Sequence, residues 1–584
     1  MRIWAPRADR IELAHGGQRH PLAPQPGRPG WFTGADPPAD ASYDVLLDGT
    51  LVRPDPRARR LPAGVHGAAA GWDAAAARWT DHDWPGRALD HTSVVYELHL
   101  GTFTAGGTFA TAIPRLDHLV ELGITHVELM PVNAFDGPRG WGYDGVAIDA
   151  VHEPYGGPAG LCAFVDAAHA RGLAVLLDVV HNHLGPSGNS WASFGPFVTD
   201  RYATPWGGAV NLDGPGSDDV RAILLDSVTG WLRDFHLDGL RLDAVHELHD
   251  DRARHYLQEL ADEVAGLADR LGRPLCLVAE SDRNDPRTVT PVAGGGFGMT
   301  AQWDDDVHHA LHWLLTGETA GYYADFGSCQ EVAHTFERAF RHDGRYSSFR
   351  GRSHGAPIDF VRTGPERFVV ASQTHDQVGN RARGERLVQL AGPDRAAAAA
   401  VLLLTLPYLP MLFMGQEWGA STPWLFFSSF SDPELGAAVT AGRRREFADH
   451  GWSAEQVPDP QAPETFAASV LDWSEPTSPP HAELLAWYRT LIGLRSRLPA
   501  PAVAESGTAD GLRCDWAEDD GRPVWFTVAR RGWLTAVNLS AAQVAVPLPA
   551  AVAEVAASWR DRAVVEPGAL RLDTGGSAVI RLTT

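Results

Sequence analysis

Eight short apolar segments alternate with amphipathic helical patterns through the middle of this 584-residue chain. The apolar segments have the length and composition of buried strands, and the patterns between them are long enough to form crossover helices. Repeated strand–helix units predict a parallel sheet that closes into a (β/α)8 barrel, or less favourably an open doubly wound sheet. No GxGxxG or P-loop sequence directly follows a predicted strand, which argues against an open nucleotide-binding sheet. The predicted strands span residues 94–100, 126–132, 174–181, 239–244, 275–280, 299–303, 368–374 and 410–414.

The pattern also divides the chain into three parts. Residues 1–90 and 501–584 carry short apolar pieces separated by Gly, Pro and Asp turns, which predicts a β-sandwich before the barrel and another after it. Residues 91–500 would form the barrel with its loop insertions, and the N-terminal sandwich, through its start IWAPRADRIELA, resembles a carbohydrate-binding module. The predicted helices span residues 109–122, 158–171, 218–235, 250–271, 304–315, 329–340, 394–406 and 481–497.

Charge and cysteine usage restrict the partners. A formal net charge of -24 disfavours nucleic acid and anionic membranes, which bind basic surfaces, and favours a neutral substrate. The four cysteines show no CxxC or zinc spacing, and charged residues interrupt the first positions, so we expect a reduced, cytoplasmic protein. One apolar run, residues 396–415, has the length of a membrane span, but Pro407 and Pro410 divide it into a helix and a short strand.

Polar side chains gather at the ends of five predicted strands. In a barrel these ends meet at one mouth, so residues distant in sequence converge in space. Arg241 and Asp243 are two residues apart and share one face of a strand, where they could also form a purely structural ion pair. Five polar strand ends at one rim predict a functional site instead. Its candidate residues are Asp178, His181, Asn182, His183, Arg241, Asp243, His246, Glu280, Asp304, Asp305, Asp306, His308, His309, His375, Asp376, Gln377 and Asn380.

These residue types favour glycosyl transfer. No GxSxG elbow follows a predicted strand, and there is no plausible nucleophilic cysteine, which disfavours acyl transfer. A metal site at the HxH pair of His181 and His183 is an alternative, but the acids form no compact ligand set and Arg241 adds a positive charge. Separate carboxylates can attack an anomeric carbon and protonate the leaving oxygen. Tryptophans near the rim, among them Trp141, Trp206 and Trp303, could pack on sugar faces.

Four stretches resemble the signature regions of the α-amylase superfamily, in the same order. They are DVVHNH (178–183), GLRLDAVHE (239–247), AES (279–281) and THDQVGN (374–380). The resemblance implies a retaining mechanism, with Asp243 as nucleophile, Glu280 as general acid/base and Asp376 as transition-state stabiliser. It also implies carboxyl groups of Asp243 and Glu280 about 5 to 5.5 Å apart. In the same family pattern Arg241 orients the nucleophile, His181 and His375 bind the sugar, and Tyr143 stacks beneath it.

Further stretches resemble a narrower group within that superfamily. The start IWAPRADRIELA is similar to the module before the barrel of branching, debranching and trehalose-forming enzymes. The stretches at 96–109, 126–146, 301–312 and 413–419 resemble most the members that release trehalose. This implies cleavage of the α-1,4 bond next to the terminal trehalose of maltooligosyl trehalose, with α-1,4-glucan oligosaccharides as substrates. By analogy the substrate contacts would be Tyr143, His181, Arg241, Leu242, Ala244, Val245, His246, Asp304, Asp305, Asp306, Val307, His308, His375, Gln377, Val378, Gly379 and Asn380.

The resemblance also bears on cofactors and alternatives. Asn182 stands where secreted relatives have a calcium ligand, but no Asp-rich insertion accompanies it, so we expect neither a required metal nor another cofactor. The DDDVH segment at 304–308 is the candidate for recognising the trehalose end, or else an ordinary helix start. A glycogen branching enzyme is the alternative function, and a non-catalytic glucan-binding protein is an alternative of another class.

Overall fold

The barrel predicted from the alternating segments is confirmed. The computed structural model describes residues 1–448, 453, 456–502 and 507–583. Eight parallel strands close into a barrel in chain order, and the eighth strand pairs with the first. We number the barrel strands β1 to β8: Val95–Leu98, His126–Leu129, Ala174–Val179, Gly239–Leu242, Cys276–Ala279, Ala301–Trp303, Phe368–Ala371 and Leu409–Phe413.

Helices follow most of these strands and cover the outside of the barrel. The predicted helix 109–122 divides at Pro114, which lacks the N–H that a continuous helix needs, and a short 3-10 turn joins its two parts. The α-helices are Leu100–Phe103, Phe109–Ala112, Leu116–Leu122, Gly157–His169, Trp191–Phe194, Ser217–Asp234, Tyr256–Leu271, Asp305–Thr316, Cys329–Arg338, His375–Gly379, Leu387–Ala391, Pro393–Thr405, Pro433–Ala448, Pro463–Ala468 and His481–Arg495.

The helix predicted for 250–271 begins six residues later, at Tyr256. The carboxylate of Asp250 accepts the backbone N–H of Tyr256 at 2.6 Å and also binds Arg221 at 2.9 Å. These contacts hold the preceding segment as a loop, and His255 then caps the helix by accepting the N–H of Leu257. The charge pattern of 250–255 resembles a first helical turn, so tertiary contacts such as the one with Arg221 distinguish the loop from a helix.

Antiparallel sheets lie before and after the barrel, as predicted. The N-terminal sheets contain strands Arg2–Trp4, Ile11–His15, Gln18–Pro21, Ala23–Pro24, Trp31–Thr33, Ser42–Leu47, Leu51–Arg53 and Ala69–Ala70. The C-terminal sheets contain strands Arg513–Asp519, Arg522–Arg530, Trp533–Asn538, Val544–Pro547, Val552–Ser558, Ala563–Glu566, Ala569–Leu572 and Ser577–Leu582. Three hairpins leave the barrel loops: Asn133–Ala134 with Ala147–Val151, Val198–Thr204 with Gly207–Val210, and Tyr346–Ser347 with Arg352–Ser353. Thr584, the last residue of the predicted C-terminal domain, lies outside the described residues.

The interior of the barrel separates an apolar part from a polar mouth. Val95, Leu176, Val278, Val369 and Met411 come from five strands and pack into one buried cluster. Polar side chains stand further along the same strands and just beyond them. Because all eight strands are parallel, these polar ends lie at one mouth of the barrel.

The apolar run at 396–415 forms part of this barrel. It contributes most of the helix Pro393–Thr405 and the barrel strand β8, and these segments are buried. Among the helices in the described ranges, none is both long and apolar enough to cross a membrane.

A buried charge cluster at the other end of the barrel supports a stability prediction. Asp238 precedes β4 and is fully buried. Its carboxylate accepts the backbone N–H of Val175 at 2.9 Å and the indole N–H of Trp84 at 2.8 Å, and it binds Arg273 at 3.0 Å and His169 at 2.9 Å. We expect Asp238→Asn to lower the free energy of unfolding by about 3 kcal/mol, because it leaves buried donors without a charged acceptor. Urea unfolding followed by circular dichroism measures the change.

The control is Asp262→Asn, which removes an exposed ion pair with Arg254. Exposed pairs contribute about 0 to 1 kcal/mol, so this variant should unfold close to the wild type. Equal unfolding midpoints for the two variants would contradict the role given to Asp238.

Candidate active site

One arginine at the barrel mouth holds three carboxylates. The Arg241 side chain is fully buried, and its Nη1 donates to Asp178 Oδ2 at 2.8 Å and to Asp243 Oδ1 at 2.9 Å. Its Nη2 lies 3.2 Å from Glu280 Oε2. The guanidinium also packs over the ring of Trp303, with 4.3 Å from Cζ to the ring centroid. A buried guanidinium surrounded by these acceptors is fixed in place and supplies positive charge where the carboxylates meet.

The position of Arg241 follows from strand alternation. Leu240 and Leu242 flank it in β4 and are fully buried in the apolar core outside the barrel, so Arg241 projects into the barrel. Leu242, a predicted substrate contact, therefore has its side chain in this core.

Asp243 ends β4 at a strained turn. Its Oδ1 accepts from Arg241, and its Oδ2 accepts from the Asn182 amide at 2.7 Å. The Asp243 side chain is 10% exposed. Ala244, the next residue, has a φ of 39°, a left-handed conformation that is unfavourable for a residue with a side chain. In this conformation the Ala244 N–H donates to Glu280 Oε2 at 2.6 Å. The turn after Asp243 therefore connects it to the second carboxylate.

Glu280 follows β5 and has an environment that favours its protonated form. Burial raises the pKa of Glu280, Arg241 lowers it, and the negative charges of Asp243 and Asp376 raise it, so that the pKa lies above its ordinary value. Its side chain is 16% exposed, so one side remains open to the mouth. A carboxyl with a raised pKa beside an arginine-bound carboxylate is the pairing required for acid and nucleophile roles.

Asp376 is the third carboxylate and the most exposed. It lies in the first turn of His375–Gly379, a helix capped by Thr374, and its side chain is 42% exposed. Asp376 Oδ1 lies 3.6 Å from His375 Nε2 and accepts from the Asn380 amide at 3.3 Å. Its charge reaches Glu280, whose pKa it raises. The predicted catalytic residues Asp243, Glu280 and Asp376 thus come from three strand ends to one mouth.

An aromatic and imidazole floor lies beside these carboxylates. The Tyr143 ring stacks on His375 with 5.1 Å between centroids, and its hydroxyl donates to Asp178 at 2.6 Å. His181 Nδ1 hydrogen-bonds with the Tyr256 hydroxyl at 3.1 Å, and burial lowers the His181 pKa to about 4. His181 is therefore a neutral hydrogen-bonding group.

The acidic segment after β6 divides into structural side chains and one side chain near the site. Asp304 caps the helix Asp305–Thr316 by accepting the N–H of Asp306 at 3.1 Å. Asp306 accepts the Asn284 amide at 2.7 Å and the backbone N–H of His342 at 3.0 Å. Burial raises the Asp306 pKa, but the hydrogen bonds and charge of His342 outweigh this effect and lower the pKa to about 2. Asp304 and Asp306 therefore stabilise this helix start and its loop.

Asp305 is the member of this segment that lies near the catalytic carboxylates. It accepts from the Gln377 amide at 3.0 Å. Burial, then the charges of Glu280 and Asp376, raise its pKa to about 7. Val307 packs in the apolar core, and His308 is buried with its Nε2 3.2 Å from the Tyr323 hydroxyl. Within this segment, Asp305 is therefore the acid on which the charges of Glu280 and Asp376 act.

The remaining predicted contacts differ in their access to the mouth. His246 is partly exposed, and its Nε2 lies 3.9 Å from Asp282 Oδ1. Val245 and Val378 pack in the apolar core. Gly379 has no room for a side chain, because a Cβ there would lie 2.2 Å from the Trp141 ring.

Four residues of the site carried no predicted role. Glu97 on β1 binds His375, Tyr256 binds His181, and Arg443 donates to Asn380 Oδ1 at 3.1 Å. Asp178 was recognised only as a polar strand end. An acid inside the apolar stretch that forms β1 was the one available signal for Glu97, since an unpaired buried carboxylate is costly.

Asn182, which the family resemblance marked as a possible calcium ligand, is engaged in protein contacts. Its amide nitrogen donates to Asp243, and its oxygen hydrogen-bonds with His183. Across the described part of the chain, no group of three or more His, Cys, Asp or Glu side chains is placed to hold a metal ion.

Comparison with known proteins places this geometry in a known group. The alpha amylase catalytic domain family matches residues 73–194. The chain is 51% identical to the malto-oligosyltrehalose trehalohydrolase of Arthrobacter ramosus, with 99% of each chain covered. It is 49% identical to the malto-oligosyltrehalose trehalohydrolase of Mycobacterium tuberculosis, with 94% of each covered. A 1,4-alpha-glucan branching enzyme of Xanthomonas campestris is 28% identical over 78% of this chain and 65% of that protein.

Solved structures are similar over the whole chain. The crystal structure of an alpha-amylase-like protein from Salmonella typhimurium matches with a TM-score of 0.88 and 37% identity, covering 100% of this chain and 97% of that one. A pullulanase from Paenibacillus barengoltzii, solved with maltotetraose, matches with a TM-score of 0.70 and 18% identity, covering 100% of this chain and 93% of that one. The second likeness concerns the fold alone.

Proposed function

The chain belongs to the malto-oligosyltrehalose trehalohydrolase family of alpha-amylase-type glycosidases, and we propose that Asp243, Glu280 and Asp376 carry out its hydrolytic reaction. The substrate is a malto-oligosyl trehalose, and the bond cleaved is the α-1,4 bond next to the terminal trehalose. The observation that carries the residue assignment is the shared guanidinium of Arg241, which binds Asp243 and lies 3.2 Å from Glu280. One group thereby fixes the relative positions of the two carboxyls.

In the first step Asp243 acts as the nucleophile. Hydrogen bonds from Arg241 and Asn182 stabilise its ionised carboxylate and orient it. An Asp243 oxygen forms a bond to the anomeric carbon of the glucan while the bond to the trehalose oxygen breaks. Glu280 gives its proton to that oxygen, so trehalose leaves as a neutral alcohol.

In the second step Glu280 acts as the base. Its carboxylate removes a proton from water, the water oxygen forms a bond to the anomeric carbon, and the bond to Asp243 breaks. Two inversions at this carbon give net retention. Binding of both carboxyls to one guanidinium supports the short separation expected for a retaining pair, about 5 to 5.5 Å.

The surrounding groups hold the reacting ring. Asp376 and the donor groups of His181 and His375 would bind ring hydroxyls, and Tyr143 would stack on the apolar face of the sugar. On the leaving-group side, Asp305 and His246 are the proposed contacts of the trehalose unit. The support for this is their location. The charge of Glu280 raises the pKa of Asp305, and His246 stands three residues after the nucleophile.

Hydrolysis of maltotriosyl trehalose tests the proposal. We expect trehalose and maltotriose in equal amounts, and in H2(18)O the label should enter C1 of maltotriose and not trehalose, because water attacks the glucan carbon. The first-formed anomer should be α when followed by NMR.

Other outcomes separate the alternatives. A β-anomer would show inversion and remove the covalent role of Asp243. New α-1,6 linkages without free trehalose would indicate a branching enzyme. Binding without turnover would indicate a non-catalytic glucan-binding protein.

A further inference from the structure

A glutamate on the first barrel strand binds an active-site histidine at two points. His375 Nδ1 lies 2.5 Å from Glu97 Oε1, and the His375 backbone N–H donates to Glu97 Oε2 at 3.0 Å. Both side chains are 2% exposed. Because an ionised carboxylate only accepts hydrogen bonds, the ring proton of this pair is on Nδ1. Glu97 therefore determines both the orientation of the imidazole and the nitrogen that carries its first proton.

The second ring nitrogen faces the catalytic mouth. His375 Nε2 lies 3.6 Å from Asp376 Oδ1. With Nδ1 already protonated, Nε2 of a neutral ring would direct a lone pair at the carboxylate and could only accept a hydrogen bond from a sugar hydroxyl. In the imidazolium form Nε2 carries a proton and becomes a donor. The charge of His375 therefore determines whether Nε2 donates or accepts a hydrogen bond at the mouth of the barrel.

Charges from every neighbouring element act on His375. Burial lowers its pKa, but the charges of Glu97 and Asp376 and the hydrogen bond to Glu97 raise it, to about 9, against an opposing effect of Arg241. The aromatic ring of Tyr143 stacks on it, and Trp141 contacts its edge. The other titratable groups that interact with it are His99 after β1, Glu128 on β2 and Asp178 on β3.

We propose that Glu97 is a positioning residue for the hydrolytic reaction, which keeps His375 as a doubly protonated cation that donates from Nε2 to Asp376 and the sugar. Glu97 itself is buried beneath the imidazole and acts through it. The proposal rests on the proposed function in one respect, the role of Asp376 as stabiliser of the transition state.

Glu128 provides a matched control. It is the neighbour of Glu97 in the β1–β2 register and is also buried. Burial and the charge of Glu97 raise the pKa of Glu128 well above its ordinary value, which favours its neutral carboxyl. Glutamine at this position reproduces the shape of that neutral form, whereas glutamine at position 97 replaces the acid that contacts His375.

The test measures kcat/KM against pH for the wild type, Glu97→Gln and Glu128→Gln with maltotriosyl trehalose. Without Glu97, His375 titrates near or below the ordinary imidazole pKa of about 6.5. The activity of Glu97→Gln relative to the wild type should therefore fall by about 30-fold between pH 5.5 and pH 8. The loss should appear mainly in kcat, because the affected interaction acts on Asp376. Glu128→Gln should keep the wild-type profile.

A constant ratio of Glu97→Gln to wild-type activity across this pH range would overturn the proposal, as would an equal shift in Glu128→Gln. If Glu97→Gln fails to fold, the double variant Glu97→Gln/His375→Gln replaces the ion pair by two neutral amides. We expect the double variant to be no less active than His375→Gln alone, since Glu97 acts through His375. A further loss in the double variant would also overturn it. Failure of the proposed function is distinguishable, because then the wild type itself releases no trehalose.

Discussion

Replacement of Asp243 by asparagine is expected to lower kcat for malto-oligosyl trehalose by about 10,000-fold or more. The amide cannot form the covalent bond to the anomeric carbon, so the two-step route is lost. The amide also places an NH2 group where one carboxylate oxygen stood, so either Arg241 or Asn182 loses its acceptor and faces another donor. Initial rates of trehalose release, measured by chromatography at saturating substrate, give the change.

Substrate binding provides the control for this variant. The hydrogen-bonding groups around the ring, His181, His375 and Tyr143, are unchanged, so titration calorimetry should show oligosaccharide binding within about tenfold of the wild type. Retention of a tenth or more of wild-type kcat would show that another group attacks the sugar, and Asp243 would lose its assignment.

Replacement of Glu280 by glutamine is expected to lower kcat for malto-oligosyl trehalose by about 1,000-fold. The trehalose oxygen is a poor leaving group without a proton, so loss of the acid slows the first step. A maltosyl fluoride needs no protonation, and its first step should be much less affected. Azide, which needs no base, should restore turnover of the fluoride and give the α-maltosyl azide.

The pH profile gives an independent readout for Glu280. The acid must carry its proton, so wild-type kcat/KM should fall as the pH rises through the Glu280 pKa, which burial and the charges of Asp243 and Asp376 hold above its ordinary value. The residual activity of Glu280→Gln should lack this alkaline decrease. An unchanged alkaline limb, or no rescue by azide, would assign the proton transfer to another group.

The sequence was sufficient to predict the barrel and most of its active-site rim. Strand periodicity located all eight barrel strands to within a few residues, since each strand is apolar and helical patterns separate most of them. The polar residues at the strand ends then predicted the rim of the site, because a (β/α)8 barrel brings these ends to one mouth regardless of loop conformation. The shared orientation of Arg241 and Asp243 followed from the two-residue periodicity of a strand alone.

Contacts between distant strands could not be read from the pattern. Glu97 meets His375 only because β8 closes against β1, and the partner stands 278 residues away. The three consecutive acids Asp304, Asp305 and Asp306 are equivalent as sequence. The structure separates them, since one caps a helix, one binds a loop and one lies near the catalytic carboxylates.

Closure of the barrel by its last strand has a consequence for synthesis of the protein. Val95 pairs with Met411, so β1 keeps an open edge until about 300 further residues have left the ribosome. At about 5 to 20 residues per second this takes roughly 15 to 60 s. During that time the edge and the uncovered apolar surfaces are available to other chains. Nascent chains that stop before β8 should therefore depend on chaperones to remain in solution.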